Sequence, residues 1–135
     1  MKKLTKEGYI NGILKLFYIM AKNRLRIPKE FELLGHTIII EWNDNLEFDE
    51  EAYGLAECIK NKIILQKPNK QYGVTQVEET FLHEVIHLIF DNTSHRKESK
   101  NEILVDIIAS LIHQMLISAK YTKENDLIMK IKSKK

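Results

Sequence analysis

The sequence has few of the residues that build disulfide frameworks, flexible linkers or turn-rich folds. Its 135 residues include one cysteine, five glycines and two prolines. Cys58 has no second cysteine to pair with, which excludes an internal disulfide and suits a reducing compartment. We find no linker, internal repeat or low-complexity block, and we therefore expect residues 1–135 to form a single domain.

An excess of charge and a long apolar run are also missing. The 21 basic and 19 acidic residues give a net charge of +2, which provides no strong signal for a nucleic-acid partner or for a membrane surface. No apolar stretch approaches the roughly 18 residues that span a bilayer. The apolar residues near the start are interrupted by Lys15 and are followed by no small-residue cleavage pattern, so we expect no export signal and a cytoplasmic location.

The first two-thirds of the chain predicts one helix and a small sheet. Apolar residues at helical spacing within residues 5–22 predict an amphipathic helix in an N-terminal extension of residues 1–26. Residues 36–42 are rich in β-branched side chains and predict a strand. Residues 52–59 and 62–66 flank Lys60-Asn61 and predict a hairpin, which makes three strands in an antiparallel or mixed sheet. The acidic residues 43–51 between them predict a solvated loop.

The last third predicts two long helices, so the expected fold class is α+β. Thr75-Gln76-Val77-Glu78 has the pattern of a capping box and should begin a helix that runs to about Phe90. Residues 91–97 are polar and predict a loop. A second helix should follow from about residue 99 to about residue 119. Residues 120–135 form a basic C-terminal tail, and we expect its last part, residues 130–135, to be frayed and solvated.

The predicted helix at 75–90 contains His83-Glu84-Val-Ile-His87. Residues four apart on a helix share a face, so the two imidazoles can reach one point in space. Zinc accepts neutral imidazole, and a catalytic zinc site has three protein ligands with the fourth position open to water. Glu84 then lies where a carboxylate can take a proton from that water. This is the metallopeptidase interpretation of the H-E-x-x-H pattern.

The surroundings of the motif favour that interpretation over an ordinary surface helix. Random order would produce the pattern in roughly two chains of a hundred with this composition. Apolar residues occupy most of the circumference of the predicted helix and leave one polar sector. A buried helix with a single polar sector implies that the sector faces a cleft or an ion. Its members are Gln76, Thr80, His83, Glu84 and His87.

A third ligand is required, and the residues alone leave several candidates. Glu102 begins the last long helix and could present its carboxylate to the zinc, in which case Asp106 could accept the free ring N–H of a ligand histidine. Ser99 and Glu102 also form a capping-box pattern, which would instead turn Glu102 back onto its own helix. Glu98 and His95 are the alternative ligands, and His95 could also polarise a substrate carbonyl.

The remaining polar and aromatic candidates have ordinary explanations. His113 lies about 16 Å beyond Glu102 along the helix axis, too far to share the ion, and we expect a satisfied core histidine. His36 precedes a strand and should be structural or exposed. Trp42 and Tyr53 can line a cleft, although aromatic residues usually pack in cores.

The motif and the residues that follow it resemble a known family. His83-Glu84-Val-Ile-His87 followed by Glu102-Ile-Leu-Val-Asp106-Ile-Ile-Ala109 is similar to the small phage and prophage proteins grouped with the ImmA/IrrE-like metallo-endopeptidases, which are gluzincins. The resemblance covers residues 27–115. It implies a three-stranded sheet packed on the active-site helix, zinc held by His83, His87 and Glu102, and Glu84 as the general base.

These observations predict a zinc-dependent endopeptidase, phage or prophage encoded, that holds its peptide substrate along an exposed sheet edge near residues 52–59. Two alternatives stay open. One is a zinc-binding structural or interaction protein of a phage or mobile element without proteolytic activity. The other is an SprT-like protease that acts on DNA-associated proteins, although those enzymes use a third histidine where this chain has Glu102.

Overall fold

The computed structural model describes residues 24–50 and 52–133, so the helix expected within residues 5–22 lies outside the described residues. The first part of the described chain forms four short strands and one short helix, and the second part is helical. In chain order they are β1 (Glu30–Leu33), β2 (His36–Asn43), α1 (Leu46–Glu50), β3 (Gly54–Glu57), β4 (Lys62–Gln66), α2 (Val74–Asn92), α3 (Arg96–Ser99), α4 (Glu102–Ser118) and α5 (Lys123–Ser133).

The expected α+β class is confirmed, but the sheet has four strands and not three. Their order is β1-β2-β4-β3, with β2 and β4 parallel and the two outer pairs antiparallel. The missed strand, β1, alternates acidic and apolar residues and joins β2 through Leu34 and Gly35, which have φ of 51° and 81°. Positive φ at both positions suits a two-residue hairpin, yet leucine rarely adopts it, so the turn has no recognisable sequence signature.

The hairpin between β3 and β4 is present, and it leaves β3 at the edge of the sheet. Asn61, in the turn, has a φ of 51°, a left-handed conformation that asparagine tolerates. β3 is shorter than the strand predicted for residues 52–59 and covers only Gly54–Glu57. An edge strand offers unpaired backbone groups to another chain.

The solvated loop predicted for residues 43–51 is wrong, because this stretch contains α1 and buries Leu46. The buried amide of Gln66 holds the segment in place. Its Oε1 accepts the Glu47 N–H at 3.0 Å, and its Nε2 donates to the Asp44 carbonyl at 2.7 Å. One buried apolar side chain and one satisfied amide therefore order a segment whose composition is otherwise polar.

Helix α2 packs against neighbours on two sides, which explains why it carries apolar residues on both. One side packs on the inner face of the sheet, and the other packs on α4. The polar sector of α2 lies between these two contacts. The residues of the first cluster are Ile38, Ile40, Ile63, Leu65, Phe81 and Leu88, and those of the second are Ile86, Val105 and Ala109.

Helix α2 begins earlier than the capping-box pattern at Thr75 predicted. The N-cap is Gly73, whose N–H donates to the Gln76 side chain at 2.7 Å. Glu78 is therefore free of a capping role and is only 1% exposed. It accepts the Leu25 N–H at 2.7 Å and an Arg24 guanidinium N–H at 3.2 Å, so it fixes the start of the described chain against α2.

The fraying predicted for residues 130–135 is wrong for residues 130–133, because Lys123–Ser133 form α5, and residues 134–135 lie outside the described residues. Among its apolar side chains, Leu127, Ile128 and Ile131 are exposed. Across the part of the chain that the structure describes, no helix combines the length and the apolarity needed to cross a bilayer.

We predict that Glu78→Gln lowers the free energy of unfolding by about 1–3 kcal/mol, because it removes a buried charge-assisted acceptor from two donors. The matched control is Glu79→Gln, one residue further on, whose side chain is 43% exposed. This control should change the free energy by less than about 0.5 kcal/mol. Urea denaturation of both variants measures the difference, and equal losses would contradict the anchoring role of Glu78.

Candidate metal centre

Helices α2 and α4 bring three ligand-type side chains to one point. His83 and His87 lie one turn apart on α2, and their Nε2 atoms are 3.0 Å apart. Glu102, the first residue of α4, places Oε2 at 3.0 Å from His83 Nε2 and Oε1 at 3.3 Å from His87 Nε2. One ligand atom from each of the three residues lies within 4.8 Å of the others, and together they could hold a metal ion.

Asp106 turns the Nε2 lone pair of His83 inward, and Ser99 bonds to the outer nitrogen of His87. Asp106 Oδ1 lies 2.7 Å from His83 Nδ1. An ionised carboxylate only accepts, so Nδ1 of His83 carries the proton and Nε2 of the neutral ring presents a lone pair. His87 Nδ1 lies 2.9 Å from the hydroxyl of Ser99. Partners of this kind fix the tautomer of metal-ligating histidines.

Hydrogen bonds among neutral imidazoles and a carboxylate cannot satisfy this arrangement. Whichever tautomer His87 adopts, an acceptor oxygen of Glu102 faces the lone pair of neutral His83 at 3.0 Å. A cation between them removes the repulsion. Bonds of about 2.05 Å in tetrahedral geometry place zinc ligands roughly 3.3 Å apart. The observed separations of 3.0 to 3.3 Å fit that value, and two imidazoles with one carboxylate are a ligand set that zinc accepts.

Glu84 projects from α2 toward the edge strand β3 and is only 7% exposed. Burial raises the pKa of its carboxyl, the nearby His83 and His87 lower it, Glu102 raises it, and a hydrogen bond from the backbone of Ala56 lowers it. Burial is the largest of these effects, and the pKa of Glu84 is raised overall. A divalent cation at the histidines would oppose that rise. The carboxylate is thus held beside the candidate metal position by β3.

Gly54 permits this close approach of β3 to α2, and our sequence interpretation missed it. A Cβ at this position would lie 2.6 Å from Thr80 Cγ2 and 3.0 Å from Glu84 Cγ. The available signal was a glycine inside a predicted strand, which commonly marks a close approach of another chain segment.

The capping-box alternative for Glu102 is wrong. α4 is capped by Asn101, whose side chain accepts the Leu104 N–H at 3.2 Å. Ser99 ends α3, where it is buried and contacts His87. Ser99 therefore supports the candidate site, a role that its position in the sequence did not reveal.

The other candidate residues lie apart from the convergence point. His95 is exposed, and its Nδ1 lies 2.9 Å from the Thr93 hydroxyl. Neither His95 nor Glu98 belongs to the ligand cluster found among the described residues. His113 is buried as predicted, but its Nε2 has no hydrogen-bond partner among the described residues and lies 3.7 Å from Glu78 Oε1. The prediction that the hydrogen bonds of this histidine are satisfied is therefore wrong. His36 is exposed, in agreement with the prediction.

Two cavities adjoin the candidate site. The first, which we call the metal cleft, lies between β3 and the histidines and is lined by Gly54, Ala56, Glu84, His87 and Glu102 among others. The second, the tyrosine pocket, is lined by Tyr53 and Tyr72, whose rings stack at 4.2 Å with an interplanar angle of 7°. Tyr53 and His83 line both cavities, so the pocket opens beside the cleft. Trp42, on β2, is exposed and lines neither of these two cavities.

Tyr72 stabilises the wall between the pocket and α2. It is buried, and its hydroxyl lies 2.6 Å from the Thr80 hydroxyl and donates to the Gln76 carbonyl at 3.2 Å. Burial raises the pKa of Tyr72 to about 12. The phenol therefore stays neutral at physiological pH.

Comparison of this chain with protein-family models, with curated proteins and with solved structures finds no match. The assignment of a function consequently depends on the chemistry of the site itself.

We predict that Glu102→Gln weakens zinc binding by more than roughly 100-fold, because loss of hydrogen-bond partners behind a ligand already costs 10- to 100-fold. The matched control is Glu98→Gln, the same change at the alternative ligand on α3. Isothermal titration with Zn²⁺ measures both. A larger loss in Glu98→Gln than in Glu102→Gln would exclude the proposed ligand set.

We also predict that Gly54→Ala lowers the free energy of unfolding by about 1–3 kcal/mol, because the added methyl overpacks the contact between β3 and α2. Gly73→Ala is the control, since the nearest atom to its added Cβ is 4.0 Å away. That control should cost less than about 1 kcal/mol. Similar losses in the two variants would show that the close approach at Gly54 is unimportant.

Proposed function

We propose that this protein is a zinc-dependent endopeptidase. The observation that supports the proposal most is the convergence of His83, His87 and Glu102 on one point with the buried carboxylate of Glu84 beside it. Two imidazoles and one carboxylate leave an open position on a tetrahedral ion, which is the arrangement of catalytic zinc sites. The use of Glu102 as the third ligand favours a gluzincin of the ImmA/IrrE-like kind over an SprT-like protease.

The residues of the chain divide the chemistry between them. His83, His87 and Glu102 would hold the ion, and Asp106 and Ser99 orient the two imidazoles. A bound zinc ion supplies Lewis acidity toward a carbonyl and lowers the pKa of a water molecule. Glu84 accepts a proton from the attacking water and later returns it to the nitrogen of the leaving amine. Its burial keeps bulk water from competing for that proton.

The free edge of β3 supplies a binding surface for an extended peptide. The Gln66 N–H donates to the Tyr53 carbonyl, so the backbone groups of Tyr53 and Leu55 face β4. Backbone groups alternate in direction along a strand, and those of Gly54 and Ala56 therefore face outward. The Ala56 N–H serves Glu84. Within residues 24–50 and 52–133 no strand pairs with this edge, so the Gly54 N–H and the carbonyls of Gly54 and Ala56 can pair with a substrate strand beside the catalytic carboxylate.

We predict that Glu84→Gln lowers kcat for peptide hydrolysis by roughly 100- to 10,000-fold, the range that general acid–base catalysis contributes. Zinc content should stay at one ion per chain, because Glu84 is absent from the ligand cluster. The measurements are elemental analysis and cleavage of a broad peptide library, with Glu98→Gln as the control. Retained hydrolysis would refute the role of Glu84. Zinc-loaded wild-type protein that cleaves nothing would instead favour a non-proteolytic zinc protein.

A further inference from the structure

The tyrosine pocket is a separate recess with its own chemistry. It has a volume of about 270 Å³, below the roughly 300–1,000 Å³ of pockets that hold whole small-molecule ligands. Its size suits one side chain of a larger ligand. It shares Tyr53 and His83 with the metal cleft, so a side chain of a peptide lying in the cleft can enter it.

The carboxylates of the pocket are not balanced by a lysine or arginine. Glu79 and Asp106 are the acidic residues of its lining, and the lining contains no lysine or arginine. Asp106 is bonded to His83. Glu79 is 43% exposed. Its ion-pair partner within residues 24–50 and 52–133 is His113, whose Nδ1 is 3.6 Å from Glu79 Oε1. Arg24 is paired with the neighbouring Glu78 instead. Glu79 therefore presents a negative charge with no lysine or arginine partner among these residues.

The walls suit a cation with an aliphatic stem. Tyr53 is 42% exposed and stacks on the buried ring of Tyr72, so its outer face provides the aromatic surface of the pocket, and aromatic faces attract cations. Glu79 lies four residues before His83 on α2, which is about 6 Å along the helix axis. A lysine ammonium lies at a similar distance of roughly 6 Å from its own Cα, as the bond lengths of its stem require.

We infer that the tyrosine pocket binds a lysine or arginine side chain of the substrate, next to the bond that is cleaved, with Glu79 as the residue that determines specificity. This inference rests on the proposed peptidase function, because it takes the metal cleft as the place where the peptide backbone lies. Lysine stacks its stem against Tyr53, and its ammonium, or the guanidinium of arginine, pairs with Glu79.

The test uses binding, so that it is independent of turnover. Zinc-loaded Glu84→Gln protein is titrated with the acetylated, amidated peptides Ala-Ala-X-Ala-Ala, in which X is lysine or its neutral isostere norleucine. We expect the lysine peptide to bind roughly tenfold more tightly. Adding Glu79→Gln should abolish this difference, adding Glu98→Gln should preserve it, and adding Glu79→Lys should shift the preference to X as glutamate.

Equal or weaker binding of the lysine peptide, no binding of either peptide, or an unchanged preference in the Glu79→Gln background would overturn the inference. Cleavage of the same peptides by the wild-type protein separates it from the proposed function. Lysine preference in binding without any cleavage would leave the pocket assignment standing and reject the peptidase. Cleavage without a lysine preference would support the peptidase and reject the pocket assignment.

Discussion

The arrangement of the site depends on an electrostatic conflict that a cation relieves. The Nε2 atoms of His83 and His87 and both carboxylate oxygens of Glu102 are directed at one another over 3.0 to 3.3 Å. Where His83 is neutral with its proton on Nδ1, its Nε2 lone pair faces a carboxylate oxygen of Glu102 at 3.0 Å, and a cation between them relieves this repulsion. The apolar contact of Ile86 with Val105 and Ala109 holds α2 and α4 together in spite of it. The core packing therefore preorganises the ligands, and a bound ion would stabilise the same interface.

The position of α2 between the sheet and α4 determines which chemistry each side of the site can supply. α4 contributes charge through Glu102 and Asp106. β3 contributes backbone groups, and it approaches closely enough to contact Glu84 only because Gly54 has no side chain. Because β3 is also the edge of the sheet formed by the described residues, the Glu84 carboxylate and the outward-facing backbone groups of β3 lie together. A central strand at this position would have had no free groups to offer a substrate.

Sequence reasoning was most successful where the geometry is local. The spacing of His83 and His87 on one helix, and the hairpin at Asn61, follow from helix and turn geometry alone. The contacts that it missed join residues far apart in the chain. Ser99 and Glu78 both matched capping patterns, yet each is bonded to a distant partner, His87 in one case and Arg24 with Leu25 in the other. A motif of a few residues cannot distinguish a local partner from one that tertiary packing supplies.

The glutamates of this small domain illustrate how environment assigns different roles to one side chain. Glu78 pairs with Arg24 and accepts a backbone N–H, so its charge stabilises the fold. Glu102 meets two imidazole nitrogens and suits a cation. Glu84 is buried against β3, where burial favours the uptake of a proton. Glu79 is half-exposed in an aromatic recess and pairs with no lysine or arginine among the described residues. Within the described part of the chain its ion-pair partner is the buried His113 at 3.6 Å, and Glu79 is the one of the four that we propose to bind a substrate side chain.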